Sequence, residues 1–208
     1  MKRSDVKELH FIAHVDNLTS ICTNGILCHN KAKKLKPKSI AEQGVQERRE
    51  MVVVRGANKK LHEFANLYFN ARNPMMFKRQ GSHEALCVLS ISHEILDQPG
   101  VIITDMNASR EIVRFFEMPY GLAQLEKDLI YTKYWNDVDP IEKYRRVGAI
   151  CAEVLVPKAV VPGFIQGIYV SCDRTRQSTQ RLLKDHPLSE KIVVRPYLFF
   201  QATEDVTW

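Results

Sequence analysis

The sequence predicts an α+β fold, and three features of its pattern lead to that prediction. Short apolar segments, of which Ala85–Ser92 is the clearest, alternate with segments of helical periodicity. They do not follow a regular strand–helix–strand repeat, and several strands are separated only by short turns, which favours antiparallel pairing. The 208 residues, 45% hydrophobic and 26% charged, have an ordinary globular composition. We therefore expect one domain spanning residues 1–208.

Eight segments are expected to be extended because they are short, apolar and bounded by turn residues. In chain order they are Leu9–His14, Val52–Val54, Asn66–Phe69, Ala85–Ser92, Val101–Thr104, Ile150–Val156, Ile165–Val170 and Ile192–Phe200, the last interrupted by Pro196.

Helices are expected where a capping residue precedes a periodic apolar face. Asp16 precedes a short helix that Asn24-Gly25 ends, and a lysine-rich loop follows. Ser39 and Glu42 form a capping-box pattern. The further predicted helices are Ile40–Glu50, Asp105–Phe116, Leu122–Trp135 and Arg174–Asp185. A turn is expected at Asn73-Pro74, a helix break at Met118–Gly121 and a loop at Asn136–Pro140.

Composition and missing motifs exclude several classes of protein. The chain lacks the glycine-rich signatures of P-loop and Rossmann proteins, G-x-S-x-G and H-E-x-x-H. Five cysteines without a C-x-x-C pair argue against a disulfide framework or a zinc ribbon, so we expect no metal. No apolar run approaches the ~20 residues of a membrane span, and residues 1–5 do not begin a secretion signal. We expect a cytoplasmic protein without membrane contact.

The net charge of +6 weakly favours nucleic-acid or phosphate partners. Lysines crowd one short stretch, at positions Lys31, Lys33, Lys34, Lys36 and Lys38. This stretch is either a solvated loop or a patch that binds backbone phosphates.

Glu153 is the only charged residue in the apolar segment Ile150–Val156. Either its strand lies at a solvated sheet edge, or the carboxylate points into a cleft. If the carboxylate is buried without a partner, Glu153→Ala holds or raises stability. Arg48 and Arg49 are either ordinary surface residues or a phosphate clamp, since guanidinium binds phosphate with two parallel hydrogen bonds.

Five segments together, in family order, resemble the DarT family of DNA ADP-ribosyltransferase toxins. They are Leu9–Leu18 with Ile21 and Gly25–Leu27, Gln46–Arg49, Leu61–Phe69 with Arg72–Met75, Ile103–Ala108, and Ala152-Glu153. The resemblance covers roughly residues 9–172. The chain departs from some members at Phe11 and Asn107, where those members have histidine. An amide cannot act as an acid or base near neutral pH, so thymine and guanine both remain open as the target base.

The resemblance implies the ADP-ribosyltransferase fold, with two packed, mostly antiparallel sheets, surrounding helices and an NAD⁺ cleft. Arg49 and Glu153 would be catalytic. The family assigns this arginine a proton-acceptor role, although a guanidinium with a pKa above ~12 is a poor base. The NAD⁺ site would comprise His10, Phe11, Ile12, Ala13, His14, Ser20, Cys28 and Arg49. Substrate would contact Arg48, Tyr68 and Asn107.

The implied function is a toxin that transfers ADP-ribose from NAD⁺, its co-substrate, to a base of single-stranded DNA and releases nicotinamide. A carboxylate near the ribose carbon would stabilise developing positive charge. Aromatic residues between Asn107 and Glu153 would stack on bases. A macrodomain antitoxin of the DarG type is the implied partner. The alternatives are an ADP-ribosyltransferase acting on RNA or protein, and a basic nucleic-acid-binding module without catalysis.

Overall fold

The computed structural model describes residues 1–202 and is dominated by one large sheet. The strands are β1 (Glu8–His14), β2 (Ile26–Leu27), β3 (Val53–Val54), β4 (Lys59–Lys60), β5 (Phe64–Tyr68), β6 (Leu86–Ser92), β7 (Ile102–Thr104), β8 (Phe115–Glu117), β9 (Glu153–Pro157), β10 (Ala159–Val160), β11 (Ile165–Val170) and β12 (Ile192–Val194). Eight strands pair in the order β12-β11-β6-β1-β5-β9-β7-β8, all antiparallel except β11 with β12. Two small ribbons, β10-β2 and β3-β4, flank this sheet.

The large sheet consists of two four-stranded halves that meet at one place. β1 pairs with β6 along its whole length, and β5 pairs with β9 from Phe64 to Tyr68. Between the halves, β1 and β5 pair at His10 and Tyr68. The two expected sheets are therefore the halves of one hydrogen-bonded sheet. Buried residues from both halves form the main hydrophobic core, including Leu9, Leu67, Leu89 and Val154.

Seven α-helices surround the sheet within residues 1–202. They are α1 (Leu18–Asn24), α2 (His29–Ala32), α3 (Gln43–Met51), α4 (Pro74–Lys78), α5 (Lys127–Ile130), α6 (Pro140–Ala149) and α7 (Asp173–Leu182). The predicted end of α1 is confirmed, because Gly25 caps it with a φ of 77° and donates its N–H to Ile21. No helix of the described part of the chain is long and apolar enough to cross a membrane.

Several helices begin at other residues than their local capping patterns predict. Asp16 does not cap α1. Instead its N–H donates to the His14 side chain, at the start of a 3-10 turn that leads into α1. The Ser39 hydroxyl accepts from the N–H of Ala41, and α3 begins only at Gln43. The lysine-rich loop contains α2 and a 3-10 turn. The predicted turn at Asn73-Pro74 is the start of α4, which the Asn73 side chain caps.

The predicted helix at Asp105–Phe116 is wrong. Asp105 accepts hydrogen bonds from the backbone and the side chain of Arg114, which closes a loop. Phe115–Glu117 then pairs with β7 as the edge strand β8. Pairing with a sheet edge has outweighed the local helical pattern here.

The region from Leu122 to Val156 also differs from prediction. The long helix at Leu122–Trp135 is replaced by a 3-10 turn, the single turn of α5 and irregular chain. The unpredicted helix α6 follows, with Asp139 as its cap and Pro140 in its first turn, an available signal. Because α6 runs to Ala149 and a turn follows, β9 begins at Glu153 rather than Ile150. Ile192–Phe200 is strand only as far as Val194, and a 3-10 turn follows.

Candidate active site

A buried ion pair joins Arg49, near the end of α3, to Glu153, at the start of β9. Arg49 Nη1 donates to Glu153 Oε1, and Nη2 donates to Oε2, each at 2.9 Å. Arg49 is 6% exposed and Glu153 is fully buried. β9 lies between β5 and β7 inside the sheet, so the interpretation of a solvated edge strand is wrong. The carboxylate is buried, but it has a partner.

Three further contacts come from the end of β7 and the loop that follows it. Asn107 Nδ2 donates to Glu153 Oε1 at 2.8 Å, and the Ala108 N–H donates to the same oxygen at 3.3 Å. The Glu153 N–H donates to Thr104 Oγ1 at 3.0 Å. The Asn107 side-chain oxygen accepts from the backbone and hydroxyl of Ser109, which keeps its amide nitrogen turned toward Glu153. The carboxylate is therefore held by donors from two directions.

The pair controls the ionisation of its neighbours. Burial would lower the pKa of Arg49, but the charge and hydrogen bonds of Glu153 outweigh burial and raise that pKa above its ordinary value. Tyr68 lies opposite Glu153 in the sheet, and burial together with the Glu153 charge raises the pKa of its phenol far above the usual range. The same two causes raise the pKa of the Cys151 thiol to about 12. Arg49 thus stays cationic, while Tyr68 and Cys151 stay neutral.

A cavity of about 870 Å³ opens over this pair. Its walls include Phe11–His14 from β1, Ser20 from α1, the segment 32–42 and part of α4, while Arg49 and Asn107 are also among its lining residues. Glu153 itself is outside the lining and lies behind Arg49. The volume falls within the roughly 300–1,000 Å³ typical of small-molecule and cofactor sites.

The lysine-rich segment is one wall of this cavity, in which Lys33, Lys36 and Lys38 take part. Asn17 ties the segment to the end of β1: its amide donates to the Lys38 carbonyl and its side-chain oxygen accepts the Lys38 N–H, both at 2.9 Å. Lys38 Nζ also lies 3.1 Å from the Asp16 carboxylate. The wall is therefore pinned at one end and carries positive charge toward the cavity.

The structure gathers most of the predicted site residues around this cavity. The lining includes Phe11, Ile12, Ala13, His14, Ser20, Arg48, Arg49, Tyr68 and Asn107. His10 and Cys28 are not part of it. His10 lies at the junction of the two sheet halves, where Nδ1 is 3.2 Å from the Phe69 carbonyl and Nε2 is 3.4 Å from Glu8. Cys28 is buried at the start of α2.

The sequence interpretation missed two stacked histidines beside Arg49. The rings of His29 and His62 are 4.0 Å apart and nearly parallel, and His29 lines the cavity. Burial, followed by the proximity of His29 and Arg49, lowers the pKa of His62 to about 4. His62 lies in one of the segments that carry the family resemblance, whereas His29 had no local signal. Among residues 1–202, no three His, Cys, Asp or Glu side chains cluster as a metal site would require.

The split antiparallel sheet and the cavity over a buried Arg–Glu pair agree with the ADP-ribosyltransferase fold that the resemblance implies. The comparison with known families is more specific. The profile described as "ssDNA thymidine ADP-ribosyltransferase, DarT" matches residues 10–200, and the chain belongs to the DarT family.

Curated relatives and solved structures agree with this family. A DNA ADP-ribosyl transferase of Thermus sp. (strain 2.9) is 30% identical over 90% of this chain and 93% of its own length. A transferase–glycohydrolase fusion protein of Thermosipho africanus is 28% identical over 96% of this chain, which spans about half (51%) of that relative. The structure of Thermus sp. 2.9 DarT with ADP-ribosylated ssDNA is similar with a TM-score of 0.82, 26% identity and coverage of 96% and 99% of the two chains. Thermus sp. 2.9 DarT with NAD⁺ is similar with a TM-score of 0.77, 25% identity and coverage of 94% and 98%.

Proposed function

We propose that residues 1–208 act as one catalytic domain that transfers ADP-ribose from NAD⁺ to a base of single-stranded DNA and releases nicotinamide. The observation that carries the proposal is the bidentate Arg49–Glu153 pair behind the wall of a cavity large enough for a dinucleotide. A module that only binds nucleic acid needs no carboxylate behind its binding surface. The two residues come from segments 104 positions apart.

The way in which the two sheet halves separate supports the assignment of Phe11–Ala13 to the nicotinamide end. The pairing of β1 with β5 is at His10–Tyr68, and the following residues of β1 line the cavity. A strand edge that is not paired presents N–H and C=O groups to a ligand. An amide such as that of nicotinamide matches such an edge, because it both donates and accepts hydrogen bonds. Ser20 and His14 would lie beside it.

The charged wall supports a place for the pyrophosphate. Lys33 and Lys36 line the cavity together with Arg48, which gives cations that can bind phosphate oxygens. Arg49 would then be shared between Glu153 and the bound dinucleotide. Its raised pKa makes it a clamp for anions rather than a proton acceptor.

Glu153 is the group suited to stabilise positive charge at the ribose carbon as the bond to nicotinamide breaks. In the structure both of its oxygens are bound by Arg49, and Asn107 binds one of them. A carboxylate neutralised in this way stabilises a nearby cation less. Substrate binding must therefore draw Arg49 partly away, after which Asn107 still orients the carboxylate.

The choice of DNA, and of thymidine over guanine, rests on the family and on the relative whose structure contains ADP-ribosylated ssDNA. The fusion of a transferase with a DNA ADP-ribosyl glycohydrolase in Thermosipho africanus supports a macrodomain antitoxin of the DarG type as partner, and hence a toxin. A cytoplasmic location, where NAD⁺ and DNA occur together, belongs to the same proposal. RNA or protein as the acceptor remains the second candidate.

The test is incubation with NAD⁺ and single-stranded oligonucleotides that each contain one kind of target base, analysed by mass spectrometry. We expect one ADP-ribose on the thymidine oligonucleotide, with an equal amount of nicotinamide released. Glu153→Gln, which keeps the shape of the side chain, serves as the inactive control. Modification of RNA or protein in place of DNA would shift the assignment to the second candidate. A failure to consume NAD⁺ with any acceptor would leave only a binding module.

A further inference from the structure

A cluster of aromatic rings includes Phe77 of α4, a residue that does not line the cavity. Phe77, Trp135 and Phe200 contact one another edge to face, with ring centroids 5.1 to 5.9 Å apart. Tyr197 joins them through Arg72, whose guanidinium carbon lies 4.0 Å from the Phe200 ring centroid and 4.6 Å from that of Tyr197. We call these five residues the aromatic platform. None of the five lines the cavity, and only Trp135 belongs to the aromatic residues between Asn107 and Glu153 that the resemblance implies for base stacking.

The platform is open to solvent where an aromatic cluster would ordinarily be covered. Phe77 is 46% exposed and Tyr197 is 39% exposed. Exposing large aromatic rings to water is unfavourable, and exposed apolar patches commonly mark interaction sites. Because Phe77 and Tyr197 come from segments 120 positions apart, tertiary folding has assembled the surface.

The platform also carries positive charge without a counter-ion. The Arg72 guanidinium donates one hydrogen bond to the Lys133 carbonyl at 2.9 Å, and its Nε is buried without a partner. No carboxylate of residues 1–202 lies within ion-pair distance of Arg72. The Arg72 guanidinium is half-buried between two rings, and only some of its N–H groups have hydrogen-bond partners. Such a group can bind an anion that is attached to a planar ring. A nucleotide has both features, an anionic phosphate and a planar base.

The platform and the cavity share α4. Pro74, Met75 and Lys78 line the cavity, while Phe77 of the same helix belongs to the platform. The Tyr68 hydroxyl, beside Glu153, donates to Met75 Sδ at 3.9 Å. A helix with its side chains is about 10–12 Å across, so a strand that leaves the cavity reaches the platform within a few nucleotides.

We propose that the aromatic platform is a stacking subsite for a nucleotide that flanks the modified base of single-stranded DNA, with Arg72 on a backbone phosphate. The proposal rests on the proposed function for the identity of the strand. It assigns part of the DNA affinity to residues outside the catalytic cavity. The platform thereby selects single-stranded substrate, since the bases of a duplex are already stacked on one another.

Paired variants test the stacking face itself. Phe77→Leu keeps an apolar side chain but removes the ring, whereas Phe77→Tyr keeps the ring. We expect Phe77→Leu and Tyr197→Leu each to raise KM for a long oligonucleotide with one central thymidine by about tenfold, the loss of one base–aromatic stack. Phe77→Tyr should match the wild type. KM for NAD⁺ and kcat should change little, and a short oligonucleotide that cannot span α4 should not distinguish the variants.

Phe164→Leu is the matched control, because Phe164 is a half-buried ring outside the platform, the cavity lining and the interval between Asn107 and Glu153. The proposal is overturned if Phe77→Leu shows wild-type KM for the long oligonucleotide, or if Phe164→Leu raises KM equally. Should the wild type transfer nothing to DNA, the proposed function fails, and fluorescence anisotropy with the same oligonucleotide then decides about the platform. Lower affinity of Phe77→Leu and Tyr197→Leu, with wild-type affinity of Phe164→Leu, supports the platform, and equal affinity of all variants overturns it.

Discussion

Glu153→Ala should both stop transfer and destabilise the fold. The substitution removes both carboxylate oxygens that Arg49 contacts at 2.9 Å and leaves the guanidinium, 6% exposed, without its counter-ion. Breaking a buried ion pair from one side costs about 3–5 kcal/mol. For a domain of this size, 1 kcal/mol lowers Tm by about 2–4 °C, so the loss corresponds to about 6–20 °C. The expectation from sequence, that stability holds or rises, assumed an unpaired carboxylate and is replaced.

A double substitution separates stability from catalysis. In Arg49→Met with Glu153→Met no buried charge is left alone, and well-packed apolar replacements of buried pairs are often neutral or stabilising. We therefore expect the double variant to melt above Glu153→Ala, close to the wild type. Transfer should fall in both by roughly a hundredfold or more, because each lacks the carboxylate.

The assay combines a thermal melt with mass spectrometry of the oligonucleotide over time. The reasoning is refuted if Glu153→Ala melts within about 2 °C of the wild type, less than the shift expected from 1 kcal/mol. It is also refuted if the double variant melts no higher than Glu153→Ala. Normal transfer by either variant would remove Glu153 from the mechanism.

Three other predictions follow from the same geometry. Asn107→Ala removes the 2.8 Å hydrogen bond to Glu153. It should slow transfer about tenfold while changing KM for NAD⁺ little. A wild-type kcat would contradict this prediction. Gly25→Ala should lower Tm strongly, because Gly25 has a φ of 77° and an added Cβ would lie 2.1 Å from the Val160 carbonyl oxygen. The control is Gly163→Ala, which should melt like the wild type because nothing lies within 4 Å of an added Cβ there. His62 has a pKa of about 4 in the fold against an ordinary 6.5, so the unfolded chain binds its proton first as pH falls. Its stabilising contribution is complete above pH 6.5 and declines as the pH falls toward 4. His62→Gln should therefore show a flatter pH dependence of the unfolding free energy in that range, and parallel curves would contradict the pKa shift.

Local sequence determined the strands that are short and mostly apolar. β6 and β11 lie within a residue of their predicted bounds, because a short, mostly apolar segment bounded by turn residues has few alternatives to a buried strand. Arg49 and Glu153 were also identified from sequence, although that identification depended on the family resemblance. The pattern of residues left both of them open between surface and site.

Two regions have only a weak helical pattern. Their structure is determined by contacts with residues that are distant in the sequence. Phe115–Glu117 became a strand because β7 offered an edge, and the expected helix after Leu122 gave way to irregular chain that carries Trp135 to Phe77 and Phe200. A local propensity of a few tenths of a kcal/mol per residue cannot resist several such tertiary contacts.

The sequence by itself determined the α+β class, the main strands and the presence of an isolated carboxylate in an apolar segment. Only the tertiary structure decided what that carboxylate does. Glu153 is paired with Arg49, which lies 104 positions earlier, and Asn107 completes the contact from a third segment. The energy of a buried charge depends on which groups surround it in space, and no local pattern contains that information.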